Sequence, residues 1–163
     1  MKPPNNFFYL NYLDLSNKIE RLSDSKNSLN EMSNQNTETC ATKGGFYFPK
    51  TGKCYVQSSF ETKNWNEARA DCKRNGGDLA TIADQDTQAF FGNITRNDVA
   101  RTWIGAEKIS GIWFWADGTP WTGFGNWASG EPSAGGVNIL IHENEYWYDA
   151  RKLQYSCNYL CQY

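Results

Sequence analysis

The stretch GEPSAGGVNILIHENEYWYD, residues 130–149, contains a Glu-Pro pair, a glycine-rich linker, an apolar run and a Trp-x-Asp ending. NILIH and YWYDA flank the short polar segment ENE, and this pattern predicts a β-hairpin. The linker and the hairpin lie between two carboxylates, Glu131 and Asp149. The stretch is therefore either a site for a metal ion and a ligand or only the frame of such a site.

Toward the N-terminus, the sequence predicts a compact domain that starts near Cys40. Residues 42–60 predict two short strands around a Pro/Gly turn. Residues 64–77 predict a helix that ends at paired glycines, and residues 83–94 predict a second helix with Asp84 as its N-cap. Short strands and long loops rich in Trp and Gly follow. A hairpin, two helices and then strands indicate an α+β domain.

Residues 1–39 differ from the rest of the chain because they are rich in Ser and Asn and contain no Gly. Two series recur every seven residues, the second four residues after the first: Phe8, Leu15, Leu22 and Leu29, then Tyr12, Ile19, Lys26 and Ser33. A heptad repeat predicts a coiled coil, but Lys and Ser are poor seam residues. Two interpretations remain open for this segment, a helical oligomerising neck and a flexible stalk. We expect the domain proper to span residues 40–163.

Composition excludes several classes of protein. The 163 residues carry a formal net charge of -2, which does not suit a nucleic-acid binder with a basic face. The sequence has no apolar run of about 18 residues, so we expect no membrane insertion. The apolar patch near the N-terminus is broken by Asn11 and Asp14, so it does not predict a secretory signal. We expect a mature form or an excised piece.

The cysteines indicate an oxidising compartment. None of the five lies in a Cys-x-x-Cys pair and the only histidine is His142, so a zinc site is not expected. Two disulfides and one remaining cysteine fit a secreted or extracellular protein, and five free thiols in a reducing compartment are the alternative. Asn93-Ile94-Thr95 is an N-glycosylation sequon, which also fits secretion. The alternative is that the Asn93 side chain is buried in its helix.

Five short motifs between residues 40 and 163 resemble, in order and spacing, those of the C-type lectin-like domain. They are Trp103-Ile104-Gly105, Trp115-x-Asp117-Gly118, Asn126-Trp127 with Gly130-Glu131-Pro132, Trp147-x-Asp149 and Leu160-Cys161. Each motif alone is weak, and the series is specific. The resemblance implies an α+β double-loop fold with two helices and small antiparallel sheets, and an extracellular recognition module.

The resemblance also implies two disulfides, Cys72–Cys161 and Cys40–Cys54, the second as in members with an extra N-terminal hairpin. The other usual bridge of the family would fall on Asn138 and Lys152, so it is absent here. Cys157 is then unpaired. It is either a buried thiol or the partner in a disulfide between two chains.

In sugar-binding members of this family, a calcium ion on the long loop is held by side chains that also bind sugar hydroxyls. The resemblance makes Glu131 and Asp149 the metal ligands, with Ser133 as a weak third. Gly136 and Tyr148 stand where a Glu and an Asn would be. Calcium needs six to eight oxygens, so we expect binding to be weak or lost. The alternative is purely structural, with a cis-proline turn at Glu131 and loop amides capped by Asp149.

Aromatic residues offer a second means of binding. Trp121 and Phe124 lie in the turn-rich loop TPWTGFGNW, where we expect at least one ring to be exposed. An exposed ring can stack on a sugar or anchor a protein partner, and ordinary loop packing is the alternative. The predicted ligand-binding residues are therefore Glu131, Ser133, Asp149, Trp121 and Phe124.

The sequence shows no catalytic set, because His142 stands alone and no Ser or Cys lies in a nucleophile motif. We therefore do not expect an enzyme. The main hypothesis is an extracellular recognition module that binds a glycan or a cell-surface protein through its long loop. The alternatives are calcium-independent protein recognition and a structural subunit that self-assembles through its neck or Cys157.

Overall fold

The computed structural model describes residues 6–58, 61–95, 100–133, 135–142, 144–151 and 153–163. The chain divides into two compact units, Met1–Thr39 and Cys40–Tyr163. The helices are α1 (Asn6–Thr42), α2 (Trp65–Arg74) and α3 (Gln85–Thr95). The strands are β1 (Phe46–Phe48), β2 (Lys53–Gln57), β3 (Asp78–Leu79), β4 (Thr102–Ile109), β5 (Ile112–Trp115), β6 (Asn138–His142), β7 (Tyr146–Ala150) and β8 (Asn158–Gln162). Glu143 in the hairpin turn and Lys152 lie outside the described residues.

The N-terminal segment is helical over Asn6–Thr42, which confirms the helical interpretation of this segment over a flexible stalk. The large apolar side chains of its described part are exposed to solvent: Tyr12, Leu13, Leu15, Ile19, Leu22, Leu29 and Met32. Among the described residues, no helix combines the length and apolar character needed to cross a membrane.

Helix α2 lies within the range that the sequence predicts, and Asn64 caps its N-terminus. Asn64 accepts a hydrogen bond from the backbone N–H of Glu67 at 3.1 Å, and the Glu67 carboxylate accepts one from the Asn64 N–H at 3.2 Å. This capping box satisfies two N–H groups that the first turn cannot pair internally. Trp65, Ala68 and Cys72 share the buried face of the helix.

Helix α3 begins after Asp84, whose carboxylate accepts hydrogen bonds from the backbone N–H of Thr87 at 2.8 Å and from its hydroxyl at 2.7 Å. These two bonds lower the pKa of Asp84 to about 2, and the predicted N-cap is confirmed. Phe91 is buried, while Phe90 and Ile94 pack against the same core from a partly exposed position.

The strands form one continuous array in the order β1-β2-β8-β4-β6-β7, with β3 paired to β8 and β5 paired to β4. All pairs are antiparallel except β4 with β8, which run parallel. Strands β6 and β7 form the predicted hairpin, with Asn138 opposite Ala150 and Leu140 opposite Tyr148. This hairpin joins the end of the long loop to the centre of the array.

Both disulfides implied by the resemblance are present. Cys72–Cys161 joins α2 to β8 with the Cα atoms 5.5 Å apart, and Cys40–Cys54 joins the last turns of α1 to β2 with the Cα atoms 5.4 Å apart. Cys157 is unbonded and buried, and burial raises the pKa of its thiol to about 11. A buried, protonated thiol favours the first interpretation of Cys157 over a disulfide between chains.

Candidate functional site

The long loop is held against β7 by backbone hydrogen bonds. The N–H of Trp147 donates to the carbonyl of Asn126 at 2.8 Å, and the N–H of Ala128 donates to the carbonyl of Trp147 at 3.0 Å. The side-chain amide of Asn126 donates to the carbonyl of Glu145 at 2.9 Å. Together these bonds place the segment that follows, with its cis Glu131–Pro132 peptide, beside the end of β7.

The structure brings the three predicted polar residues together. The Asp149 carboxylate accepts hydrogen bonds from the backbone N–H and the hydroxyl of Ser133, at 2.9 and 2.6 Å, and from the N–H of Gly136 at 2.8 Å. The Glu131 carboxylate accepts the Ser133 N–H at 3.0 Å and the Asp149 N–H at 3.4 Å. The carboxylate oxygens of both residues thus accept hydrogen bonds from the protein chain around them.

The two carboxyl groups shift each other's pKa in opposite directions. Burial raises the pKa of Glu131, and its hydrogen bond to Asp149 raises that pKa further. Burial alone would raise the pKa of Asp149 too, but hydrogen bonds from Glu131, Ser133 and Gly136 outweigh it and lower that pKa. Of the two, Asp149 therefore keeps its negative charge more readily than Glu131.

Gly136 allows this closed arrangement because it has no side chain. A Cβ atom at this position would lie 2.5 Å from the Ala150 nitrogen and 2.6 Å from Cγ of Asp149. No real Cβ tolerates such distances to backbone, so only glycine lets the loop approach Asp149 this closely.

The donor set does not fit a tight calcium site. The oxygens of Asp149 accept bonds from two N–H groups and a hydroxyl, so an ion would compete with these donors for the carboxylate. Within the described residues, no group of three or more acidic, His or Cys side chains is placed to hold a metal ion. Glu145, the described acid of the hairpin turn, lies beside Gly92 on α3 rather than at the loop.

Neither loop ring, Trp121 nor Phe124, is fully exposed, and a role of either ring in ligand binding stays a prediction. Trp121 and Phe124 are partly buried against the core, with ring centroids 6.0 and 5.7 Å from that of Trp147. Trp121 also stacks on Trp115 at 4.8 Å. These contacts with Trp115 and Trp147 hold both rings partly against the core, as ordinary loop packing would.

A cavity of about 300 Å³ lies beside the carboxyl pair, and sequence reasoning did not find it. Its polar and aromatic lining comes from Arg101, Glu131, His142, Tyr148, Asp149 and Tyr155. The guanidinium of Arg101 lies over the ring of Tyr155, 5.1 Å from its centroid. Arg101 and Tyr155 lie far in sequence from Glu131 and from the Trp147-x-Asp149 motif, so no local signal could have grouped them.

Asn93, the predicted glycosylation residue, lies on α3 with its side chain exposed. The alternative of a buried Asn93 was wrong. Exposure fits a glycan acceptor, and glycosylation itself stays a prediction.

The model of the lectin C-type domain matches residues 61–163 of the chain. The chain belongs to the C-type lectin family. The chain is 27% identical over 117 residues to the human C-type mannose receptor 2, covering 69% of this chain and 8% of the receptor. It is 35% identical over 74 residues to the galactose-specific lectin nattectin of Thalassophryne nattereri, covering 42% of this chain and 46% of nattectin.

Solved structures show the same fold for this C-type lectin chain. The lectin domain of murine dendritic cell inhibitory receptor 2, solved in complex with an N-glycan, superposes with a TM-score of 0.63 at 26% identity. The superposition covers 68% of this chain and 90% of that domain. The chain thus spans nearly all of a lectin domain but less than a tenth of the receptors among its relatives.

Proposed function

We propose that this C-type lectin domain is an extracellular recognition module that binds a glycan through its long loop without useful help from calcium. The closed carboxyl pair carries the proposal, because Ser133 and Gly136 already satisfy the Asp149 oxygens that an ion would need. The chain retains Glu131, Pro132 and Asp149 of the family's calcium-site pattern. The loop therefore keeps its shape while its set of metal ligands is incomplete.

Relatives support the choice of a glycan as partner. The murine receptor domain was solved with an N-glycan, the bovine CD23 domain in the presence of an oligosaccharide, and nattectin is named as galactose-specific. The relatives are binding proteins, and no catalytic set is proposed here. A glycan array probed with calcium and again with a chelator tests the proposal, and equal binding in both conditions is expected. Binding that needs calcium would overturn the calcium-independent part.

We predict that calcium hardly changes the stability of the domain. Extracellular calcium modules bind at about 0.1–1 mM, and the incomplete ligand set should weaken this to about 10 mM or more. At about 5 mM calcium the linkage free energy is then about 0.2 kcal/mol, or about 1 °C in melting temperature. Thermal unfolding with calcium and with chelator measures the difference.

A designed ligand set provides the converse of this test. Ser133→Asn with Tyr148→Asn restores two amide oxygens, and Gly135→Glu adds a carboxylate where a Cβ meets only Arg151, at 3.8 Å. The triple variant should gain a calcium-dependent rise in melting temperature. Gly136→Glu in place of Gly135→Glu is the matched control and should unfold the loop instead. If the unmodified domain already shows such a rise and Asp149→Ala abolishes it, the incomplete-site proposal is wrong.

A second proposal concerns self-association through α1, and the exposure of its apolar heptad residues supports it. A helix with an unpaired apolar stripe gains stability when a second copy covers the stripe. Lys26→Ile, in the seam, should increase dimer or trimer formation in sedimentation at tens of micromolar. Arg21→Ile, off the seam, should not. Equal behaviour of both variants would contradict a neck that associates through this stripe.

A further inference from the structure

In the cavity beside the carboxyl pair, hydrogen-bond donors are more available to a ligand than acceptors are. Its acidic side chains, Glu131 and Asp149, accept their described hydrogen bonds from Ser133, from Gly136 and from the backbone N–H of Asp149. A carboxylate oxygen that already accepts one or two N–H bonds is a poor acceptor for a sugar hydroxyl. The acids therefore shape one side of the cavity but offer it little binding capacity.

Donors dominate the opposite side. Arg101 is exposed, and its described contact is the face of the Tyr155 ring. In the part of the chain that the structure describes, Arg101 takes part in none of the ion pairs. A guanidinium carries five N–H donors in a planar fork that matches a carboxylate or sulfate. Tyr148 and Tyr155 add hydroxyl groups and ring faces to the same cavity.

A second cavity of about 380 Å³ lies on the other side of Asp149 and repeats this arrangement. It shares Asp149, Ala150 and Tyr155 with the first cavity, and Arg151 is its cation. Arg151 is exposed as Arg101 is. Two neighbouring cavities with one guanidinium each suit a saccharide that contains more than one acidic sugar unit.

We propose that these cavities bind an acidic saccharide, with its carboxylate or sulfate on Arg101 and its ring against Tyr155 or Tyr148. The assignment rests on the proposed glycan-binding function and names the ligand class for it. A fixed guanidinium here supplies the positive charge that a calcium ion would otherwise bring to the loop. A charge-assisted hydrogen bond is about twice as strong as a neutral one, so the acidic group should decide which sugar binds.

The volume of the first cavity is compatible with this ligand. About 300 Å³ is at the lower end of the range for small-molecule sites and accommodates a single sugar ring. Tyrosine rings present apolar faces to the C–H groups of a pyranose, and their hydroxyls keep contact with water. Leu140 and Ala150, also in the wall, are buried and add little polar surface.

Titration with matched monosaccharides tests the assignment. Glucuronic acid and glucose 6-sulfate are compared with glucose, in chelator, by backbone amide shifts in nuclear magnetic resonance spectra of the full chain. We expect the acidic sugars to bind about tenfold more tightly than glucose. Arg101→Gln should remove this preference, and Arg101→Lys should restore part of it. Arg21→Gln in α1 is the matched control and should leave the preference for acidic sugars unchanged. The melting temperature should stay the same in all three variants.

The two acidic probes separate the sources of the anion, since a stronger response to one of them identifies carboxylate or sulfate as the group recognised. Equal affinity for glucose and both acids, or a preference that survives Arg101→Gln, would overturn the assignment. If neutral glycans on the array bind while the acidic preference is absent, the lectin function stands and only the acidic ligand is wrong. If no glycan binds in any condition, both proposals fail together.

Discussion

Replacing Cys72 and Cys161 together by alanine should lower the free energy of unfolding by about 4.5 kcal/mol. The bond closes a ring with a sequence separation of 89 residues, and loop closure of that length accounts for about 4.5 kcal/mol in the chain-entropy model. Domains have only about 5–15 kcal/mol to lose, so the variant should be largely unfolded at body temperature. Urea unfolding followed by tryptophan fluorescence measures the loss.

Cys157→Ala is the matched control, because this cysteine is just as buried but closes no ring. Because only a small side chain is lost there, the free energy of unfolding should fall by about 1 kcal/mol. The shorter ring, Cys40–Cys54, spans 14 residues, and its removal should cost about 3 kcal/mol. A Cys157 variant as unstable as the Cys72–Cys161 variant would show that packing, and not the covalent ring, stabilises the domain.

Trp147→Ala should lower the free energy of unfolding by about 4 kcal/mol, which is typical of replacing a buried aromatic side chain by alanine. Trp147 is fully buried, and its indole N–H donates to the side-chain carbonyl of Gln88 at 2.8 Å. Four aromatic rings have centroids within about 6 Å of it: Trp115, Trp121, Phe124 and Trp127. Thermal unfolding measures the loss of stability.

Loss of Trp147 should also loosen the long loop, because the packed rings of Trp121, Phe124 and Trp127 lose their common partner. Hydrogen exchange at the amide of Ala128, which donates to the Trp147 carbonyl, should speed up by more than exchange in β2. Trp113→Ala is the control, since this ring is only partly buried beside Trp121 and Lys108, and it should cost about 1–2 kcal/mol. Equal losses in the two variants would contradict a central role for Trp147.

Sequence reasoning predicted the elements whose signals are local. The cap at Asp84, the hairpin of β6 and β7 and the helix within residues 64–77 each follow from nearby residues. The disulfide pairing followed from the resemblance, since spacing alone leaves many connectivities open. Only the folded array, with its parallel contact between β4 and β8, shows how these pieces are joined.

The site was predicted only in part. Glu131, Ser133 and Asp149 were expected together and do meet, but their bonding to one another depends on the approach of Gly136, which sequence spacing does not reveal. The partial burial of Trp121 and Phe124 depends on their contacts with Trp147, which the sequence does not reveal. The cavity with Arg101 was missed because its walls come from the start of β4, the hairpin and the chain before β8.

The Cys40–Cys54 bond has a consequence for how the domain carries mechanical load. Cys40 lies in the last turns of α1, and Cys54 lies in β2, which pairs with β8. Tension applied at the N-terminus would therefore be transmitted through the disulfide directly to β2. Residues 41–53 would carry none of this tension. Reduction would add these 13 residues to the extension of the chain before β2 is pulled, about 45 Å at full stretch. Single-molecule pulling would detect that step, because the oxidised bond shortens the covalent path from α1 to β2.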